Sequence, residues 1–524
     1  MTANKRNKSL IILGAGIMQG PAIKIAKEMG LKTIVADADQ NAPCINLADH
    51  FEHIDLKDKE NIEKLARSLF EKGELAGIMT AGTDFSATVA WVSEKLGLHG
   101  IPYEVALNAS DKEKMRECFK KFGLPSPNFI IVKEVTDNIE IPFPYPLVVK
   151  PVDNMGARGC RKANNLEELK SALLDALRFS RTSRAIVEEY MEGPEFSVDA
   201  IVYNGKITIC GLADRHIFFP PYFIEMGHTM PTAFDKKTAE NLLHVFEKGV
   251  QALGITNGAA KGDIKLTPKG PMIGEIAARL SGGYMSGWTY PYSSGVLPTK
   301  GAIQVAIGNK PSELEVKRNW VCAERAFISI PGKVDSIQGV EAARISGYVK
   351  DVFLRIKAGT DIKFPENNVS KCGNILSAAP DRQTAIESAE ENARKILIRL
   401  VFPNIKTDEF LALGVSDTER FPPDAFTLTS SLYTALCTLP KSKISNTEKE
   451  IGIIPFPEFT ASGLKDYVGR TIEETLYAVR LLTGLLLPIK ESEENILGGD
   501  FWTTLIRGGY QGAVYMIDKI MQKE

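Results

Sequence analysis

Two acids in the segment Gly262 to Gly283, GDIKLTPKGPMIGEIAARLSGG, have the types and spacing of a metal–phosphate site. Asp263 and Glu275 lie on two expected strands joined by the turn signal Thr267-Pro268-Lys269-Gly270, which brings the carboxylates nearly opposite each other. Alternation places Glu275, Ala277 and Arg279 on one face of the second strand, with Ile276 and Ala278 on the other. Acids with an arginine beside them suit Mg²⁺ bridging phosphate oxygens. That ion takes one or two protein carboxylates and leaves its other positions to water and phosphate. The same letters also fit a solvated hairpin, since acids and lysines are common on exposed strands.

A second constellation supplies positive charge and a loop. Leu147-Val148-Val149-Lys150-Pro151 reads as an apolar strand ending in a lysine, followed by Asp153-Asn154-Met155-Gly156-Ala157-Arg158-Gly159. Glycines let backbone N–H groups approach an anion, while Lys150 and Arg158 add charge. This is no Walker A loop, because GxxxxGK followed by Ser or Thr occurs nowhere in the chain. A flexible surface turn is the plain alternative.

These groups need elements to hold them. A helix capped by Asn165 is expected from Leu166 to about Leu177. The strand Ala185–Glu188 then leads into Glu189-Tyr190-Met191, Gly193-Pro194-Glu195 and a hairpin with the type I′ signal Asn204-Gly205. Upstream, Ser110-Asp111-Lys112-Glu113 forms a capping box with Ser110 as N-cap. It opens a helix with the stripe Met115, Phe119 and Phe122 that stops at Gly123. Lys112 falls in the first turn, off the stripe, where a cation opposes the helix dipole.

The first hundred residues form βαβ units. Leu10–Leu13 is a buried parallel strand, Gly14-Ala15-Gly16 the turn, Pro21–Met29 a helix, and Lys32–Ala36 a strand ending on Asp37. Glycines with an acid about twenty residues later suggest a dinucleotide site, but Gly14-x-Gly16-x-x-x-Gly20 has its third glycine one place late. A strand Gly77–Thr80 opens into Gly82-Thr83-Asp84, and a helix runs to Leu96. His50 and His53 have the spacing of helix neighbours, without an acid or cysteine set to make a metal site.

Bulk properties restrict the partners. The chain has 524 residues, 44% hydrophobic and 24% charged, and a formal net charge of −2, so it offers no basic field to nucleic acid or an anionic membrane. No apolar run reaches the roughly 18 residues of a membrane span. Its seven cysteines are scattered without a CxxC pair, which points to a reduced, cytoplasmic setting.

Taken in order, NASDKEKMRECFKKFGLPSP, YPLVVKPVDNMGARG, AIVEEYMEGPEFSVD and KGDIKLTPKGPMIGEIAARLSGG resemble the ATP-grasp superfamily of carboxylate ligases, over roughly residues 8 to 400. The resemblance implies ATP with Mg²⁺, or Mn²⁺ in its place. Lys112 and Lys150 would meet the nucleotide phosphates, and Met155, Gly156 and Gly159 would lie in the flap over them. Glu188, Glu189, Tyr190 and Met191 would form the adenine hinge, and Glu195 would sit near the ribose. Asp263 and Glu275 would be the metal ligands. Arg279, with Lys150 and Arg158, would steady the acyl phosphate. Glu225 and His228, on an expected loop before the hairpin, and Gly282 and Gly283 after it, are candidates for the substrate side. Cys160 reads as a passive small residue.

Two departures stand out. Ala277 occupies a position where the family usually has asparagine, and Met155 and Ala157 make the flap poorer in glycine. The expected architecture is multidomain α/β: a doubly wound domain at 1–110, an ATP-grasp core at 111–310 with a flap at about 130–190, a small β-rich lobe at 311–402, and an appended region at 403–524. That last region contains a helix with the capping box Thr471 to Glu474, and Trp502 and Arg507-Gly508-Gly509. It reads as a packing or oligomer module, with a homodimer the assembly considered. The implied activity joins a small-molecule carboxylate to an amine through an acyl phosphate, as amino acid ligases do. Alternatives are a purine-pathway or carboxylase-type ATP-grasp enzyme, a silent ATP-binding regulator, and an NAD(P) oxidoreductase.

Overall fold

The apolar run near the N-terminus forms the strand Ser9–Leu13, buried at every position, as expected for a strand covered on both faces. It pairs in parallel with Lys32–Asp37 and with Leu75–Thr80, and Lys32–Asp37 pairs in turn with His50–His53. Helix Gly20–Glu28 links the first two of these strands in chain order, Lys59–Glu71 leads into Leu75–Thr80, and Ser86–Leu96 follows that last strand. The computed structural model describes residues 8–137, 139–445, 450–491 and 494–522. His50 and His53 are therefore strand residues. His50 pairs with Glu52 (2.9 Å), while His53 contacts Gln40 and the Ala38 carbonyl, so they share no site.

The chain divides into two units, Met1–Ile217 with Gly227–Ala323 and Ala378–Ala385, and Phe218–Met226 with Glu324–Ser377 and Ile386–Glu524. In the first unit, Phe129–Val132, Ala185–Glu189, Leu147–Pro151 and Arg161–Ala163 make an antiparallel four-stranded sheet. Helix Leu166–Phe179 covers it through Leu169, Ala172, Leu173 and Ala176, with Asn165 capping its start as expected. A larger antiparallel sheet runs in the order Gly270–Ala277, Gly258–Thr267, Glu195–Tyr203, Lys206–Phe218. Asn204 and Gly205 both take positive φ, as the type I′ turn requires. Helix Lys236–Leu253 buries Leu242, Phe246 and Val250 among Ile264, Ile273 and Ile276 of the hairpin.

The second unit contains the antiparallel strands Gly332–Gln338 and Leu397–Leu400, the pair Val349–Leu354 and Gly373–Ala379, and the helices Ile472–Thr483 and Gly499–Met521. The lobe expected at 311–402 and the tail expected at 403–524 thus fall mainly within one unit. The tail's core gathers Phe426, Phe456, Phe459, Trp502 and Leu505 around Leu397 of the lobe. Thr471 and Glu474 form the capping box, and Gly484 ends that helix in the left-handed conformation. Trp502 donates to the Ile454 carbonyl, and the buried Arg507 lies on the Phe410 ring and donates to Pro422, Pro423 and Asp424. Both are packing residues. Among the described residues no helix is long and apolar enough to cross a membrane.

Candidate active site

The hairpin places Asp263 directly opposite Glu275, with a register shift between Asp263 and Ile264. Gly274 permits that bulge, since a Cβ there would lie 3.0 Å from the Asp263 carbonyl oxygen. Both acids are ringed by cations. Arg215 lies 3.1 Å from Asp263, Lys261 donates to the same oxygen, and Ser197 Oγ donates to the other (3.2 Å). Lys112 lies 3.3 Å from Glu275. Burial opposes ionisation of Glu275, but Lys112, Lys261 and Arg279 outweigh it and hold the carboxyl far below the usual range. Asp263 is also held down, by Arg215 and Lys261 against burial.

Lys112 is the first residue of helix Lys112–Lys121 and is almost fully buried. The N-cap is Asp111, which accepts from the Glu113 and Lys114 N–H groups. Ser110, expected in that role, instead donates to the Ala106 carbonyl. Phe122, expected on the buried stripe, is exposed. The stripe is Met115, Arg116 and Phe119. Besides Glu275, Lys112 Nζ meets the Asn154 carbonyl (2.9 Å), which ties it to the start of the glycine loop.

Arg116 is the residue that sequence reasoning missed here. Fully buried, it donates to Glu188 Oε1 (2.8 Å) and to the Gly274 carbonyl (2.6 Å), while Lys150 donates to Glu188 Oε2 (2.7 Å). Burial raises the Glu188 carboxyl, yet Arg116 and Lys150 more than reverse this and keep it ionised. Burial likewise lowers the Lys150 ammonium, and Glu188 more than restores it. The Glu188 side chain is thus an internal counter-ion, and its strand pairs with Phe129–Val132 on one side and Leu147–Pro151 on the other. The available signal was a charged residue four places after Lys112 on the apolar face.

Beyond Glu188, the Glu189 carboxylate accepts from Asn128 N (3.0 Å), and Tyr190 N donates to the Pro146 carbonyl. Lys162 and Lys265 lie over the Tyr190 ring at 4.6 and 5.1 Å, and Met191 follows, partly buried. Glu195 pairs with Arg215 and lies 3.7 Å from Lys265. In the glycine loop, Gly156, Ala157 and Gly159 have positive φ. Arg158 Nε donates to the Met155 carbonyl (3.1 Å), and Asp153 anchors the base by accepting from Ser180, Arg181 and Thr182. Cys160 is buried and its thiol is pushed up to about 11, which fits a passive residue.

Arg279 follows the hairpin and donates to the Leu280 carbonyl (3.0 Å). Gly82 N donates to that same carbonyl (3.3 Å), and Gly82 lies against Gly282. This brings the loop after strand Leu75–Thr80 to the site. Its Asp84 sits among Arg279, Lys112 and Glu275, where desolvation outweighs the cations and raises its carboxyl. The signal was its place at the carboxyl end of a parallel strand, where α/β folds bind ligands. Residues 224–230 form the buried strand Ile224–Met230 instead of the expected loop. Glu225 belongs to the second unit and packs by Lys371, whereas His228 belongs to the first. In the N-terminal turn, Asp37 accepts from Ala15 N (2.8 Å) and Gln19 Oε1 accepts from Gly16 N (2.8 Å). The acid expected for a dinucleotide ribose is engaged with its own turn.

Residues 143–287 match the model of the ATP-grasp domain. That segment is an ATP-grasp domain. Residues 326–401 match the L-amino acid ligase C-terminal domain 2. The ATP-grasp chain is 24% identical to an uncharacterized protein of Sinorhizobium fredii, over 73% of this chain and 81% of that protein. It is 28% identical to alanine–anticapsin ligase of Bacillus subtilis over 42% of this chain, a match that spans about half (52%) of that enzyme. The crystal structure of L-amino acid ligase from Bacillus licheniformis superposes with a TM-score of 0.67 at 23% identity, covering 76% of this chain and all of that one. Together with the parallel N-terminal sheet and the antiparallel sheets that follow, this is the mixed α/β ATP-grasp fold.

The residues present suit Mg²⁺. Asp263 and Glu275 supply two ionised oxygens, and among the described residues no group of three or more His, Cys, Asp or Glu could cage a metal without phosphate.

Proposed function

We propose that this ATP-grasp chain is a carboxylate–amine ligase that activates a small carboxylate with ATP as an acyl phosphate, releases ADP, and passes the acyl group to an amine. Amino acids are the substrate class, an assignment supported by the match of residues 326–401 to an amino acid ligase domain. The observation that carries the reading is the opposed pair Asp263 and Glu275, both ionised, within reach of Lys112 and beside Arg279. Mg²⁺ held by that pair would neutralise oxygens of the transferred phosphoryl group.

The chain's own groups do the positioning. Lys150, kept cationic by Glu188, and Lys112, at the base of the glycine loop, bind phosphate oxygens. Arg158 adds charge from the loop, and Arg279 holds the carboxylate being activated. Met155, Gly156 and Gly159 cover the phosphates. Glu189, Tyr190 and Met191 take the adenine edge, with Glu195 near the ribose. Gly282 and Gly283, with His228 of the same unit, form the substrate side. Each preorganised charge of this kind contributes on the order of 10²–10³ in rate. Such a protein works in the cytoplasm on small molecules.

A silent nucleotide-binding regulator is the second reading, favoured by Ala277 where the family usually carries a metal-binding asparagine. A phosphate-release screen over amino acid pairs, with AMP and ADP separated, tests both. The ligase forms ADP when Mg²⁺, a carboxylate and an amine are all present. AMP as product refutes the acyl-phosphate route, and ATP binding without turnover favours the regulator.

A further inference from the structure

One strand underlies the whole site. Alternate residues of Glu195–Tyr203 share a face, and each holds a different part: Glu195 binds Arg215, Ser197 binds Asp263, and Asp199 accepts from Ser281 and from Ser286 (2.9 Å). The first two contacts serve the nucleotide and metal side described above. The third belongs to none of the steps assigned so far.

Asp199 is buried, set between Gly211 on one neighbouring strand and Lys261 on the other. Gly211 has no Cβ, and one placed there would lie 2.5 Å from the Tyr290 ring, so this glycine lets Tyr290 settle over the strand. Asp199 Oδ1 is buried without a hydrogen-bond partner among the described residues, and the Tyr290 hydroxyl lies buried beside the Asp199 backbone. A carboxylate buried with one oxygen unsatisfied is an expensive feature, usually retained for a reason beyond packing. Its other oxygen binds the two serines that open and close the segment Ser281–Ser286.

That segment has an unusual backbone. Gly283 and Tyr284 both have positive φ, and Met285–Thr289 winds as a π-helical turn, a form found often at functional sites. It begins two residues after Arg279, whose guanidinium is folded onto the Leu280 carbonyl. We propose that Asp199 is a positioning residue for acyl-phosphate formation, pinning the Ser281–Ser286 turn and so fixing Arg279 and the Gly282–Gly283 backbone. Burial, opposed by the serines, Lys261 and Arg279, lifts its carboxyl to about 6, in keeping with a group kept for geometry at some cost.

The inference rests on the ligase reading for its kinetic effect, and hydrogen exchange tests it independently. In Asp199→Ala, amides between 280 and 290 should exchange at least tenfold faster while the Glu195–Val198 ladder keeps its protection. Ser281→Ala and Ser286→Ala each remove one anchor without emptying the Asp199 site, and should show the same local effect more weakly. In an active wild type, Asp199→Ala should lower kcat tenfold or more with the KM for ATP within about twofold, and Asp199→Asn, which keeps an acceptor, should recover much of kcat. Unchanged exchange in all three alanine variants overturns the proposal. So does exchange that rises uniformly across the first unit, or full kcat in Asp199→Ala. A wild type that turns over no substrate counts against the ligase reading alone, and the exchange pattern then decides.

Discussion

Lys261 faces Ala277 across the hairpin, and its ammonium reaches Asp263, two residues further along the same face. Where the family usually has an asparagine, the chain has a methyl group and, opposite it, a cation. A metal ion at Asp263 must compete with that cation and with Arg215. Lys261→Met should therefore lower the Mg²⁺ concentration needed for half-maximal ADP formation, by several-fold, each tenfold corresponding to about 1.4 kcal/mol. A Mg²⁺ titration that shifts to higher concentration would show that the lysine assists the metal instead of opposing it.

Glu275→Gln preserves shape and removes a charge. Turnover should fall by about 10²–10³. The folded carboxyl lies below its ordinary value, so its ionised form adds stability that is complete above the unfolded pKa of about 4.3 and fades as pH falls below it. The variant should lose a little thermal stability at pH 7 and show a flatter decline between about pH 5 and 3. An acid-unfolding curve identical to that of the wild type would separate Glu275 from the charge cluster around Lys112.

Arg116 and Glu188 form a pair with essentially no exposure, and Lys150 shares the acid. Removing Arg116 leaves the buried Glu188 with Lys150 as its one remaining cationic partner and takes the donor from the Gly274 carbonyl, a loss bounded by the roughly 3–5 kcal/mol of a fully broken buried pair. Arg116→Met should lower the urea midpoint strongly, and adding Glu188→Gln should recover part of the loss. If the double variant is no more stable than Arg116→Met, the pair is not the source of the effect.

Local chemistry made several of these features legible in the sequence. The turn at Thr267–Gly270 set the hairpin and brought the two acids near each other, the Asn204-Gly205 turn followed from its need for positive φ, and the caps at Asn165 and Thr471 from their side-chain oxygens. The turn alone would set Asp263 opposite Gly274, and only the bulge beside Asp263 brings it opposite Glu275. Asp111 displaced Ser110 as cap because the serine had a closer acceptor one turn back, at Ala106. His50–His53 and Ile224–Met230 were misjudged because short segments carry little periodic signal, and sheet pairing decided them. Arg116 and Asp199 act through partners 72 and 82 or more residues away, Asp84 meets Arg279 and Glu275 more than 190 residues on, and no spacing rule reaches that far.

The tail beyond Phe402 is bound into its unit by more than apolar contact. Ile398 N donates to the Tyr510 hydroxyl (2.7 Å), Gln511 donates to the Ile398 carbonyl (3.0 Å) and accepts from Ile330 N (3.2 Å), and Arg399 pairs with Asp518 (2.6 Å). Arg470 donates to the Arg394 and Ile396 carbonyls. Cutting the chain at Phe402 would leave the strand Leu397–Leu400 with unpaired backbone groups and expose Leu397, Ile398 and Ile330 to water. A chain ending there should be insoluble or bind a hydrophobic dye, although it keeps every nucleotide-site residue named above. Tyr510→Phe should be milder, losing one hydroxyl contact while the packing stays, and should cost about 1 kcal/mol in the unfolding midpoint. A soluble, cooperatively folded truncation would show that the tail is an independent module and that these contacts contribute little.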